Sequence, residues 1–147
     1  MGYFTSLEIG ASALTAQRLR MDTISQNIAN AGTTRTDKGT PYRRKLVIFE
    51  EKGSNIPFSE YLSKSSRDKY VGSGVRVAKI VEDSSPFKRV YDPGNPDADY
   101  EGYVSMPNVD VITEMVNMIS ATRAYEANIT SINTTKSMAM KALEIGR

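Results

Sequence analysis

The sequence predicts an α+β protein in which long N- and C-terminal helices pair as a coiled coil beside a small antiparallel β middle domain. Three observations predict it. Apolar residues recur every seven positions near the front, at Leu7, Leu14, Met21 and Ile28. A second stripe towards the C-terminus runs through Val111, Met115, Met118, Tyr125, Ile129, Ile132, Ala139 and Leu143. Between them lie short β-rich runs broken by Gly and Pro. Narrow heptad seams bury best against other helices, whereas period-two runs bounded by turn residues form strands.

The first segment, residues 1–31, reads as one helix. Thr5 or Ser6 supplies the N-cap, Glu8 opposes the helix dipole in the first turn, and Asn30-Ala31-Gly32 tolerates a left-handed stop. About 25 residues rising 1.5 Å each make a rod on the order of 37 Å long. So thin a seam on so long a rod exceeds what a small domain covers. The plainer alternative is an ordinary amphipathic helix packed on its own domain.

The second segment, residues 32–108, changes to strands and turns: Tyr42 to Glu51, Val75 to Glu82, Phe87 to Tyr91 and Gly102 to Val104. A polar stretch near residues 54–74 carries Lys64, Arg67 and Lys69 and ends in Gly72-Ser73-Gly74, which reads as a long surface loop or a flexible insertion. Short strands in this order form a small antiparallel sheet, open or closed into a barrel, rather than a βαβ unit.

The third segment, residues 109–147, is again helical. Asn108 or Asp110 caps it, Glu114 sits in the first turn, and Lys141 and Arg147 lie near the C-terminus, where cations are favoured. Thr122 and Lys136 interrupt the stripe. Polar residues at core positions cost stability but fix register and partner number.

Composition bounds the chemistry. The chain has 147 residues, 39% hydrophobic and 24% charged, with a formal net charge of +2, which is too slight a surplus to argue for nucleic acid. It contains neither cysteine nor histidine, so disulfides, thiolate or imidazole metal sites and histidine-based hydrolysis are excluded. Glu50 and Glu51 point to opposite faces of a strand, poor geometry for paired acid/base work, and no enzyme activity or cofactor is expected. Apolar runs such as Leu46 to Phe49 fall far short of the roughly 20 residues that cross a bilayer, so no membrane insertion is expected. The front also lacks the basic region and apolar core of a cleavable signal peptide.

Two clusters need weighing. Asp97, Asp99, Glu101 and Gly102 spell the first half of a calcium loop, which makes a calcium-binding coiled-coil adaptor the alternative function. The pattern then fails, because Asn108 stands where a bidentate Glu belongs and Asp92-Pro93-Gly94-Asn95-Pro96 cannot be the incoming helix. Arg43-Arg44-Lys45 at a strand start reads as a solvated edge or a salt-bridging contact with a neighbouring chain.

Three stretches together carry a family likeness. Ala11-Ser12-Ala13-Leu14-Thr15-Ala16-Gln17-Arg18-Leu19-Arg20-Met21-Asp22 leads to Asn27-Ile28-Ala29-Asn30-Ala31, followed by Thr34-Arg35-Thr36 and Pro41-Tyr42-Arg43-Arg44-Lys45. The most discriminating is Asp92-Pro93-Gly94-Asn95-Pro96-Asp97-Ala98-Asp99 with Gly102-Tyr103-Val104 and Pro107-Asn108-Val109-Asp110. In that order the chain resembles the bacterial flagellar rod and hook proteins; Gly32 departs from the Asn more common there.

The resemblance implies a structural subunit of the proximal rod of the basal body, which stacks helically with other rod proteins and transmits motor torque to the hook and filament. Its implied partners are proximal and distal rod subunits, the rod-to-membrane-ring adaptor, copies of itself and, during secretion, the flagellar export apparatus. The implied location is the rod where it crosses the periplasmic space, reached without a cleavable signal. On this reading the two apolar stripes carry axial packing, and Asn27 and Asn30 close the first helix and make side-chain hydrogen bonds to the turn or to an adjacent subunit. The turn from Asp92 to Asn108 is the family signature.

Overall fold

The computed structural model describes residues 3–53 and 74–145. Its elements are α1 (Tyr3–Ala29), β1 (Lys45–Glu51), β2 (Val75–Glu82), β3 (Lys88–Tyr91), β4 (Tyr103–Met106) and α2 (Val111–Ile145). The architecture is α+β, with two long helices and antiparallel strands between them. The loop expected near residues 54–74 lies outside the described residues apart from Gly74.

Each helix end has a local cause. α1 is already helical at Tyr3, so Thr5 and Ser6 lie inside it instead of capping it. At its other end the Asn30 amide nitrogen donates to the Gln26 carbonyl at 2.8 Å, and two tight turns follow, Ala31 N to Ile28 O and Thr33 N to Asn30 O. Neither Asn30 nor Gly32 has a positive φ, so the stop is made by side-chain back-bonding rather than by the left-handed residue expected. α2 begins on Asp110, whose carboxylate accepts from the Thr113 hydroxyl at 2.5 Å and whose carbonyl accepts the first helical bond from Glu114 N at 2.9 Å.

No barrel forms among the described strands, because they pair as two separate ribbons, β1 with β2 and β3 with β4. At the ends of the first ribbon, Lys52 N donates to Gly74 O and Asp83 N to Arg44 O, which makes it antiparallel. The second sets Lys88 opposite Met106 and Tyr91 opposite Tyr103. Strands of four residues are too short to bend round and close a barrel.

The chain divides into two compact units. One comprises Met1–Arg18, Phe49–Ala78 and Arg123–Arg147; the other comprises Leu19–Ile48 and Lys79–Thr122. In the first, the helices meet where Gly10 faces Ile132: a Cβ on Gly10 would lie 2.8 Å from Ile132 Cγ1, so only glycine permits this approach. Gly74, at φ +95°, seats the start of β2 on α1, where a Cβ would overlap the Ser12 hydroxyl. That hydroxyl donates to Ile9 O at 2.7 Å and accepts from Val75 N at 3.2 Å, and Lys52 pairs with Glu8 at 2.9 Å.

The second unit holds most of the buried core: Ile24, Tyr42, Val104, Pro107, Val109 and Ala121. Tyr91 and Tyr103 stack edge to face at 5.3 Å. Gly102, at φ +79°, lets the chain turn under them; a Cβ there would sit 2.9 Å from the Tyr91 ring.

Candidate assembly site and its buried polar hub

A charged and polar cluster lies at the centre of the second unit, where apolar packing is the rule. Asn27 is 1% exposed and Glu114 is 1% exposed. Burial of such groups is tolerated only if every lone pair and hydrogen is used. Asn27 uses all four of its sites: its amide nitrogen donates to Lys45 O at 2.9 Å and to Glu114 Oε2 at 2.8 Å. Its oxygen accepts from Tyr42 Oη at 3.0 Å and from Lys45 N at 2.9 Å.

Glu114 is held from the other side by Arg44, whose Nε and Nη2 both donate to Oε1, at 3.0 and 2.6 Å, with Asn117 adding a third bond at 3.2 Å. Arg44 also faces Asp83 at 3.7 Å. Asn108 repeats the role of Asn27 at the entrance to α2: its oxygen accepts from Arg44 N at 2.8 Å, and its nitrogen donates to the carbonyls of Asp83 and Ser85. The hub therefore ties α1, the start of β1, the segment just after β2 and the start of α2 to one another. Burial, then the charges of Glu114 and Glu82, raise the Tyr42 phenol above its usual value. Hydrogen bonds from Ser85, with Arg44 a lesser cause, hold Asp83 below the usual carboxylate range.

The basic cluster thus resolves into internal contacts. Arg44 serves the hub, Arg43 lies over the Phe87 ring at 4.5 Å and donates to Asp83 O, and Lys45 lies over Tyr42 at 5.7 Å. The Asp92 to Gly102 turn is braced by its own side chains and backbone: Asp92 N donates to Gly102 O, Asp97 N to the Asn95 side chain, and Asp99 N to Tyr103 O. Pro93, Gly94 and Pro96 lie exposed along it. Its carboxylates are already engaged, Asp97 by the Thr34 hydroxyl at 2.7 Å and Arg35 at 3.9 Å, Asp99 and Glu101 by Arg89 at 3.2 and 3.9 Å. Among the described residues no three acidic side chains are grouped to hold a metal ion.

Comparison with known proteins connects these features. A family model described as flagella basal body rod protein matches residues 7–35, and one described as flagellar basal body rod FlgEFG protein C-terminal matches residues 100–145. The chain is 54% identical to the flagellar basal-body rod protein FlgC of Bacillus subtilis (strain 168), with all of both chains covered. It is 50% identical to FlgC of Borreliella burgdorferi over 99% of this chain and 98% of that one, and 42% identical to FlgC of Escherichia coli O157:H7 over the whole of both. The chain belongs to the FlgC family of flagellar basal-body rod proteins. Both hub residues of the helices, Asn27 and Glu114, fall inside the stretches matched by the rod family models.

In this FlgC-family chain the helical stripes divide into covered and open parts. On α1, Leu7, Leu14, Met21 and Ile28 are half-buried, and the positions alternating with them, Gly10, Gln17 and Ile24, complete the seam. On α2, Met118, Tyr125, Ile132 and Ala139 are half-buried, but the alternating row is Glu114, Ala121, Asn128 and Thr135. The row read from the sequence lies one residue further on. Thr122 and Lys136 are therefore not interruptions of the covered seam: Thr122 back-bonds to Met118 O and touches the Met21 sulfur at 3.7 Å, and Lys136 is exposed.

The remaining predicted packing residues, Val111, Met115, Ile129 and Leu143, are 40%, 55%, 38% and 76% exposed in the single chain. Asn30 is half-buried at the helix stop, and Asn27 is wholly internal. Sequence reasoning missed Tyr42, Arg44 and Glu114 as hub members. One signal was present, a carboxylate at position 114 in phase with Ala121 and Asn128.

Proposed function

We propose that this chain is a structural subunit of the proximal rod of the bacterial flagellar basal body, assembling helically with other rod proteins and with copies of itself to pass motor torque to the hook and filament. The observation that carries the reading is the end-to-end kinship with FlgC proteins at 42–54% identity. Partners on this reading are the proximal and distal rod subunits, the rod-to-membrane-ring adaptor, and the export apparatus through which the chain reaches the periplasmic span of the rod. No enzymatic step is assigned to it.

The physical picture supports the same role. A contact repeated by one rotation and rise builds a filament rather than a closed ring. Long helices laid side by side give such a filament a core that resists twist. Val111, Met115, Ile129 and Leu143 supply apolar surface to neighbouring helices, while Leu7, Leu14, Met21, Ile28, Met118, Tyr125 and Ile132 hold the subunit's own pair together and complete the axial packing.

Deleting the first 30 residues tests this reading through motility and purified basal bodies. Loss of both rods and swimming is expected; normal rods built from the truncated chain would overturn it.

A further inference from the structure

Sulfur chemistry in this chain falls on methionine alone. There is no cysteine to intercept a two-electron oxidant first, and neither tryptophan nor histidine to share it. The methionines among the described residues divide by environment. Met115, Met138 and Met140 are 55%, 61% and 56% exposed. Met21, Met106 and Met118 are half-buried. The Met21 sulfur also accepts from the Thr122 hydroxyl at 3.7 Å, which engages a lone pair that would otherwise attack an oxidant. Susceptibility follows exposure, so one reagent reaches the first set before the second.

The surroundings of the exposed three give the reaction a consequence. Met115 stands on the outward side of the first turns of α2 beside Ile112, Val116 and Ile119, and Met138 and Met140 precede Leu143 and Ile145, all of them exposed. These sulfurs therefore belong to open apolar stretches, and none of them takes part in the hub. A thioether sulfur attacking the terminal oxygen of a hydroperoxide forms an S–O bond as the O–O bond breaks. Sulfur gives up two electrons, and the other peroxide oxygen leaves as water or an alcohol after taking the proton of the transferred one. A flexible apolar side chain thereby becomes a polar sulfoxide, which sulfoxide reductases can return to the thioether. In the single chain the new oxygen stays in water. Beneath a neighbouring subunit it would lie among aliphatic groups, and burying a polar group without a hydrogen-bond partner is unfavourable.

We infer that Met115, Met138 and Met140 are reversible oxidation sites that make entry of the free chain into the rod sensitive to hydroperoxides. This rests on the rod-subunit reading and adds a chemical condition on assembly.

Purified full-length chain treated with graded hydrogen peroxide and mapped by peptide mass spectrometry should gain sulfoxide at Met115, Met138 and Met140 before Met21, Met106 and Met118, with its far-UV circular dichroism unchanged. The parent and M115L/M138L/M140L chains then replace the rod subunit of a flagellated bacterium lacking sulfoxide reductases, and each is expressed with and without a sublethal peroxide pulse. Peptide mapping of the free pool verifies that the parent is oxidised, and immunoblots of purified basal bodies give treated against untreated incorporation. The parent should fall about tenfold or more, the penalty of an unpaired polar group under a neighbour. The leucine chain, whatever its starting level, should not change on treatment. M115L and M138L/M140L should each lose part of the sensitivity, and they serve if the triple change itself abolishes assembly. Equal falls in parent and leucine chains, or an oxidised parent that enters rods undiminished, would overturn the inference while leaving rod membership intact. Oxidation of the half-buried methionines at the pace of the exposed ones, or loss of helicity at the same dose, would overturn it too. Absence of the untreated parent from basal bodies would overturn both.

Discussion

Asn27 offers the sharpest perturbation because its four hydrogen bonds have fixed directions. Asn27→Ala removes two bonds to the Lys45 backbone, one to Tyr42 and one to the Glu114 carboxylate. At about 1 kcal/mol for each neutral bond and somewhat more for the charged one, the loss is about 4 kcal/mol. Set against a total of roughly 5–15 kcal/mol for a domain, that is a large share, equivalent to about 10 °C in Tm. Asn27→Asp keeps the shape but replaces the donor with a carboxylate oxygen facing Glu114 Oε2 at 2.8 Å and Lys45 O at 2.9 Å. Two acceptors, one a like charge, then confront each other in a buried site, so the isosteric change should be worse than the truncation by about 1 kcal/mol or more. Adding Glu114→Gln supplies an amide donor and should recover part of the loss, with a coupling of about 1–3 kcal/mol. Urea unfolding of the full chain followed by far-UV circular dichroism measures Asn27→Ala, Asn27→Asp, Glu114→Gln and the Asn27→Asp/Glu114→Gln pair. An Asn27→Asp chain as stable as Asn27→Ala, or strict additivity with Glu114→Gln, would refute the reasoning.

Three further outcomes follow from the same geometry. Tyr42 has its folded pKa raised, so its share of stability is full below the unfolded value near 10 and is lost as pH climbs through the raised value. Absorbance titration at alkaline pH should show Tyr42→Phe losing a tyrosine that ionises above the ordinary range, and a loss from the ordinary range instead would contradict this. Asp83 and Asp110 have lowered folded pKa values, chiefly through Ser85 and Thr113, so their share is present above the unfolded value near 3.9 and drains away as pH falls through the lowered ones. A Ser85→Ala, Thr113→Ala double variant should therefore show a shallower fall in stability between pH 4 and 2; an unchanged slope counts against it. Gly74→Ala forces a side chain into a left-handed φ and into the Ser12 hydroxyl, a cost of about 2–4 kcal/mol of which Ser12→Ala returns only the steric part. A thermal melt of Gly74→Ala matching the parent would sink that account.

The architecture was legible where the signals are local. Val75–Glu82 alternates behind Gly74, and Asp110 caps at the first turn of a long apolar stripe, so these elements stand where the sequence places them. The seam was half legible. Large apolar side chains mark one row, Leu7 to Ile28 and Met118 to Ala139, but the other is built of Gly10, Gln17, Ala121, Asn128 and Thr135, which carry no hydrophobic signal. Reading the second row of α2 from apolar residues selects 115 and 129, which are open, over 114 and 128. Beyond the phase of position 114 with Ala121 and Asn128, the hub left no mark in the sequence, because a first-turn Glu satisfies the dipole rule by itself, while its burial depends on Arg44 and Asn27, 70 and 87 positions away. A cluster of cations such as Arg43 to Lys45 reads as surface until the acid that neutralises it has been located.

The separation of 87 residues between Asn27 and Glu114 also orders events in time. Contacts this distant in sequence form only after a long loop has closed, and the closure must be complete before any bond repays it. During synthesis from the N-terminus, α1 and β1 exist while Arg44 has no carboxylate to hold and Asn27 has only the Lys45 backbone and Tyr42. An unfinished chain thus lacks the interaction that locks this unit, and the lock closes only when the last third of the sequence has been made.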